Sequence, residues 1–216
     1  MSRLFFINVE RMTKLSQQPE ASPRKRTQMI EETRSKLILA ARRAFAEQGY
    51  MAASMDDFTA KVGLTRGALY HHFGDKKGLF VAVIRQIDDE ISQRILENTK
   101  NCKTLWDALL EETKTYFECM LEPDIQQIWM RDGVAVLGDI NFWPDQDKYD
   151  MLLSQTLEKL MKEKVIYECD SYALARQLNG AMHGTALWIA NSQDPKETLK
   201  KALKSISILL DGLKIK

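Results

Sequence analysis

Between positions 65 and 77 the chain gathers a set of groups that bind anions and the edges of bases: Thr65, Arg66, Tyr70, His71, His72, Lys76 and Lys77. A guanidinium can meet guanine O6 and N7 with two parallel hydrogen bonds, which discriminates by roughly 1–3 kcal/mol. Phenol, hydroxyl, imidazole and ammonium groups suit phosphate oxygens. Gly67 and Ala68 add no bulk, so a helix carrying them can lie close to bases, with the Ala68 methyl able to meet a thymine methyl. A metal pair at His71 and His72 is the competing chemistry, but adjacent side chains on a helix diverge by about 100°. No metal site is assigned. Catalysis finds no footing either: there is no Gly-rich phosphate loop, nucleophile elbow or His-Glu-x-x-His run, and three histidines supply no triad. Asp88-Asp89 and Glu111-Glu112 read as solvated helix faces. The chain is expected to be no enzyme, to have no catalytic residues and to need no cofactor.

These groups require an element that presents them, and the flanking sequence writes one. Ser54 is a good N-cap, Asp57 lies in the first turn that follows, and Phe58 and Val62 share a face four residues apart. Gly63 can take the left-handed conformation that ends a helix, and Leu64 plugs the corner. Thr65 then caps a second short helix whose Ala68, Leu69 and Phe73 point inward, leaving Arg66, Gly67, Tyr70, His71 and His72 on or near its outer face. Two short helices and a tight turn make a helix-turn-helix reader of DNA. An earlier helix over residues 31–48, with Leu37, Ile38, Ala41 and Phe45 as its stripe, ends at Gly49. A later one over 77–98 carries Phe80, Val83, Ile84, Ile87, Ile91 and Ile95, and its N-terminal amides beside Lys76 and Lys77 are suited to a phosphate.

Val62-Gly63-Leu64-Thr65-Arg66-Gly67-Ala68-Leu69-Tyr70-His71-His72-Phe73-Gly74-Asp75-Lys76-Lys77-Gly78-Leu79 resembles the DNA-binding signature of the TetR family of bacterial transcriptional regulators. Leu69, Tyr70, His72, Phe73, Lys76 and Leu79 fall in register with its fixed positions, and the resemblance covers residues 31–90. It implies that Tyr70, His72 and Lys76 hold phosphate, that His71 occupies the variable base-reading slot, and that most members repress transcription. It also implies that the helix after the reader transmits effector binding by changing the separation of two reader heads.

Composition agrees with a divided molecule. The net charge is +1, yet residues 1–80 hold 14 Lys and Arg against 8 Asp and Glu, while the remainder holds 17 against 22. A basic N-terminal part and an acidic remainder suit a nucleic-acid module joined to something else. Residues 1–30, with Gln17 to Pro23 and then Arg24-Lys25-Arg26, read as a flexible basic arm, either reaching DNA or simply solvated. Residues 31–77 are assigned to the DNA-binding domain and 78–216 to effector binding and dimerisation. Leu4 to Val9 is too short for a signal-peptide core, and no run approaches the roughly 18–20 apolar residues of a membrane helix. A cytoplasmic protein is expected. Cys102, Cys119 and Cys169 have no metal or disulfide spacing.

The C-terminal region is all helical in pattern, so the fold class is all-α. One helix carries Trp106, Leu109, Leu110, Phe117 and Met120 and is ended by Pro123. Another carries Ile125, Ile128, Trp129 and Val136, interrupted at Gly133 and Gly138. A third runs from Tyr149 to about Lys164, a fourth starts at an Asp170 cap, and the last starts at Asp194-Pro195-Lys196-Glu197. The last two, with Gly180, Ala181, Gly184 and Ala186, resemble the family's dimerising pair, and a homodimer would bind a palindromic operator in double-stranded DNA. Trp106, Phe117, Met120, Trp129, Met130, Phe142, Trp143 and His183 are the candidates for binding a small, largely hydrophobic or aromatic effector, although an aromatic stripe also serves as core. Arg131 and Asp132 face either a polar ligand group or solvent. Two other readings stay open: a cysteine-based redox regulator using Cys102 or Cys119, and a helical binding module whose helix-turn-helix is unused.

Overall fold

The computed structural model describes residues 23–138, 143 and 145–216. The stretch 1–22 of the expected arm and the candidate Phe142 lie outside the described residues. Two compact units meet at the Gln86–Ile87 bond, within a helix.

The first unit is built from α1 (Pro23–Ala52), α2 (Met55–Lys61), α3 (Arg66–Phe73) and the opening turns of α4 (Lys76–Thr99). α1 begins eight residues before the expected start, so residues 23–30 are its first turns and not arm. Gly49 leaves the helical path at φ 76°, where the sequence placed its end. Leu37, Ala41 and Phe45 of α1, Leu69 of α3 and Leu79, Phe80 and Val83 of α4 are fully buried. Phe45, Tyr50 and Phe80 stack edge-on or tilted with centroids 5.0–5.6 Å apart. Such aromatic contacts add to simple burial and join α1 to α4.

Both short helices begin as their sequences dictate. The Ser54 hydroxyl accepts from Asp57 N–H, and the Thr65 hydroxyl accepts from Ala68 N–H at 3.2 Å. Gly63, at φ 68°, supplies the left-handed residue of the turn. Gly78 has no room for a side chain, since a Cβ there would lie 2.0 Å from the Phe73 carbonyl oxygen.

The second unit takes the rest of α4 and then α5 (Leu105–Cys119), α6 (Pro123–Ile125), a π-helical segment (Gln126–Asp132), α7 (Gly133–Leu137), α8 (Gln146–Lys162), α9 (Ser171–Asn191) and α10 (Pro195–Asp211). Among the described residues the only extended pairing is an antiparallel bridge between Ile166 and Lys214. Asp170 and Asp194 cap α9 and α10 through Ala173 N–H and Glu197 N–H. α9 packs on both α8 and α10, and α5 touches all three. A buried carboxylate, Asp150, staples α8 to α9: Arg176 and Asn179 donate to it from α9 and Gln146 from its own helix.

Two expectations about this unit change. Pro123 opens α6 at the position where a missing N–H costs nothing, while α5 has already ended at Cys119. Gly133 does not interrupt its helix (φ −55°). Its lack of a side chain makes room for Trp143, whose ring a Cβ would meet at 2.2 Å. The break comes at Gly138, with φ 77°.

Candidate nucleic-acid interface and effector core

α3 presents Thr65, Arg66, Gly67, Tyr70 and His71 to solvent, and Lys77 at the start of α4 is exposed as well. Ala68, His72 and Lys76 are half-buried, and Leu69 alone anchors the helix fully. Gly67 meets only the Thr65 hydroxyl, 3.7 Å from where a Cβ would stand, so its face is open. The His71 and His72 rings sit 5.6 Å apart at 70° and do not converge on a common point. No metal-binding group of three ligands occurs among the described residues.

Arg66 and Lys76 already have partners on this face. The Arg66 guanidinium donates to the Tyr70 hydroxyl at 3.2 Å, lies 5.5 Å from that ring's centre, and reaches the Asp56 carboxylate at 3.5 Å. Lys76 donates to the Met51 carbonyl at 3.4 Å, with its ammonium 4.7 Å from the centre of the Tyr50 ring. It therefore ties α4 to the end of α1, a joint unseen in the sequence. At the start of α4 the Gly78 amide is taken by the Asp75 carboxylate at 2.6 Å, so an acid stands where a phosphate was expected.

In the second unit Trp106, Phe117, Met120, Trp129, Met130 and Trp143 are buried, and His183 is half-buried. Trp143 is spoken for: its indole N–H donates to the Gly138 carbonyl at 2.9 Å and its ring lies on Gly133. The Trp106 ring carries the Lys214 ammonium 4.6 Å from its centre. Trp129 meets Tyr116 edge-on at 5.9 Å. Two open clefts, of about 410 and 570 Å³, are lined by none of these side chains. Arg131 donates to the Ala190 carbonyl and to Asn191, and Asp132 accepts from Gln127, so both hold the π-helical segment in place.

Two family models match the chain: one described as bacterial regulatory proteins of the tetR family over residues 37–83, and one as a tetracyclin repressor-like C-terminal domain over residues 106–213. A helix-turn-helix transcriptional repressor of Mycobacterium tuberculosis is 38% identical over 172 residues, covering 76% of this chain and 85% of its own. The chain belongs to the TetR family. A TetR-family regulator from Pectobacterium atrosepticum, solved by crystallography, superposes with a TM-score of 0.77 at 40% identity, over 88% of this chain and 97% of that one. The Tn10 TetC protein of Escherichia coli is 28% identical over 75% of this chain and 82% of its own length.

As a TetR-family protein the chain is a DNA-binding transcriptional regulator and not an enzyme. Among the described residues no helix is long and apolar enough to cross a membrane. Residues that the sequence reading passed over now stand out. Asp56 holds Arg66, and its signal was an acid in the first turn of the preceding helix. Tyr116 lies fully buried against Trp129, and only its place four residues after Glu112 on the buried face of α5 could have marked it. The two cysteines weighed for redox chemistry are poorly set for it: burial pushes the Cys119 thiol up to about 11, and burial also raises that of Cys102.

Proposed function

We propose that the protein represses transcription by binding a palindromic operator as a homodimer and is released when a small molecule enters its second unit. The observation that carries this reading is the α3 surface, where a capped helix offers Arg66, Gly67, Tyr70 and His71 side by side to solvent. Arg66 reads a guanine, His71 an adjacent base, and Thr65, Tyr70, His72, Lys76 and Lys77 fix the register on phosphates. The name of the mycobacterial relative supports repression over activation. A helix of eight residues spans too few base pairs for specificity, so two copies must act together.

The dimer forms through α9 and α10. Their outer face shows Gly180, Ala181 and Gly184 beside Trp188, Ile208 and Leu209, the last three 50–66% exposed. Nothing lies within 4 Å of a Cβ built at Gly180 or Gly184, so a second copy's helix can approach closely. Such a face would join two chains as a four-helix bundle. The effector occupies the aromatic core between α5 and the π-helical segment, and α4, whose residues belong to both units, passes the signal on. A thiolate switch is set aside because Cys119 stays protonated near neutral pH. The site of action is the cytoplasm.

Selection of bound DNA from random fragments, at a stated salt concentration, tests the reading. A recovered inverted repeat is expected. Recovery of no preferred sequence by folded protein would remove the operator-binding role.

A further inference from the structure

We propose that the effector is an uncharged, flat molecule that accepts hydrogen bonds from the Trp129 indole N–H and the Tyr116 hydroxyl, not a bare hydrocarbon and not a carboxylic acid. The proposal rests on the effector-responsive reading above and deepens it. Protein interiors pair nearly all their polar atoms. Here the Trp129 indole nitrogen and the Tyr116 hydroxyl oxygen have no hydrogen-bond partner, although each side chain is about 1% exposed and beyond the reach of bulk water. They sit on rings 5.9 Å apart, on two different elements, α5 and the π-helical segment. Two orphaned groups on neighbouring rings set edge to face mark a place that a ligand completes.

The chemistry of that ligand follows from the atoms. An indole nitrogen can only donate, so its partner must accept. The phenol is held protonated, first by burial and then by the charge of Asp88 on α4, and so it too offers a hydrogen. Asp88 is buried, and Glu112 is fully buried one turn before Tyr116 on α5. The charge of Asp88, which already acts on the phenol, opposes an anionic guest. The walls are flat: Tyr116 and Phe117 lie side by side, their centroids 5.6 Å apart, with Trp129 standing edge-on to Tyr116. A carbonyl or ring nitrogen carried on an aromatic body fits all of these conditions.

The π-helical turn supports the assignment. Such turns are rare and concentrate at functional positions, because their wider winding re-aims a side chain. This one is pinned at both ends: Gln126 donates to the Met120 carbonyl at 2.7 Å and Arg131 to the Ala190 carbonyl at 3.2 Å. Trp129 lies midway between the pins, so its position is fixed while its N–H stays unanswered.

Three probes that share one ring system separate the possibilities: 2-naphthamide, 2-naphthoate and naphthalene, each titrated into the full-length protein with its indole nitrogens labelled with nitrogen-15. The Trp129 resonance is assigned by its loss in Trp129→Phe. Naphthamide is expected to shift it downfield and to bind about tenfold more tightly than the other two, a gap typical of one well-made hydrogen bond. Tyr116→Phe, which removes only the orphaned oxygen, is expected to raise the Tm of the unliganded protein and to reduce the amide's advantage, leaving the part that Trp129 supplies. Equal shifts from naphthalene or naphthoate, an unmoved Trp129 resonance with naphthamide, or a lower Tm for Tyr116→Phe would each overturn the proposal. A compound that releases a selected operator while leaving the Trp129 resonance in place would overturn it and leave the repressor reading intact. Failure to select any operator would sink that reading instead.

Discussion

Arg66 enters DNA binding with its guanidinium already engaged by Asp56 and Tyr70. Both carboxylate and guanidinium are more than half exposed, and an exposed pair of this kind contributes little. The arginine can therefore exchange Asp56 for a base edge at little cost, and Asp56 acts mainly as a like charge facing the phosphates. Asp56→Asn is expected to tighten operator binding several-fold, most strongly at low salt, as measured by fluorescence anisotropy across a salt series. A weaker complex would mean that the pair positions Arg66 productively. Arg66→Ala is expected to relax preference at one base per half-site by roughly 1–3 kcal/mol. Equal loss on every sequence would instead make it a phosphate ligand. His183 gives a prediction in pH. Burial lowers its pKa to about 4, below the ordinary 6.5, so the unfolded chain takes up a proton first as pH falls. The stability linked to its neutral form is therefore complete above about pH 6.5 and drains away down to about pH 4. Between pH 7 and 5 the loss should be about 2 kcal/mol, absent in His183→Gln when both proteins are unfolded in urea. Parallel pH profiles for the two would show that the imidazole is solvated.

Elements of this chain divide into those whose causes are local and those whose causes are distant. Ser54, Thr65, Asp170 and Asp194 each satisfy an amide three residues on, so a reader of the sequence can place the starts of α2, α3, α9 and α10. The exposed face of α3 is equally legible, because one buried leucine and a 3.6-residue period fix which side chains look outward. The π-helical turn escapes such reading: its extra residue per turn defeats the period used to assign faces, and Tyr116 and Trp129 acquire their relation only by packing across elements. Lys76 lies 25 residues from the carbonyl that holds it. Gly133 shows the same limit, since its glycine looks like a helix breaker until Trp143 is seen lying on it. Gly133→Ala would set a Cβ 2.2 Å from the indole ring and push Trp143 off the Gly138 carbonyl. A destabilisation of about 1–3 kcal/mol is expected. Trp143→Leu should mask most of that cost in a double-mutant cycle, since the two changes share one contact. An unchanged Tm for Gly133→Ala alone would show that the ring moves freely.

At the scale of the whole molecule the question is how two weak readers become one specific one. Each head offers one eight-residue helix, and phosphate contacts in general supply affinity without sequence preference. Joining two heads makes the second binding event intramolecular, so specificity accumulates over both half-sites. In the proposed dimer that benefit depends on the α9–α10 face. Ile208 and Leu209, on α10, are 66% and 62% exposed. Leu209→Glu would place a carboxylate in the proposed interface, at several kcal/mol per dimer. The variant is expected to sediment as a folded monomer with unchanged helical signal. Its affinity for a palindrome should fall to that for a half-site, while its salt slope falls to about half, since each monomer releases half the counterions. A variant that stays dimeric would move the interface away from α9 and α10. A monomer that still bound the full palindrome undiminished would show that the two heads do not depend on each other.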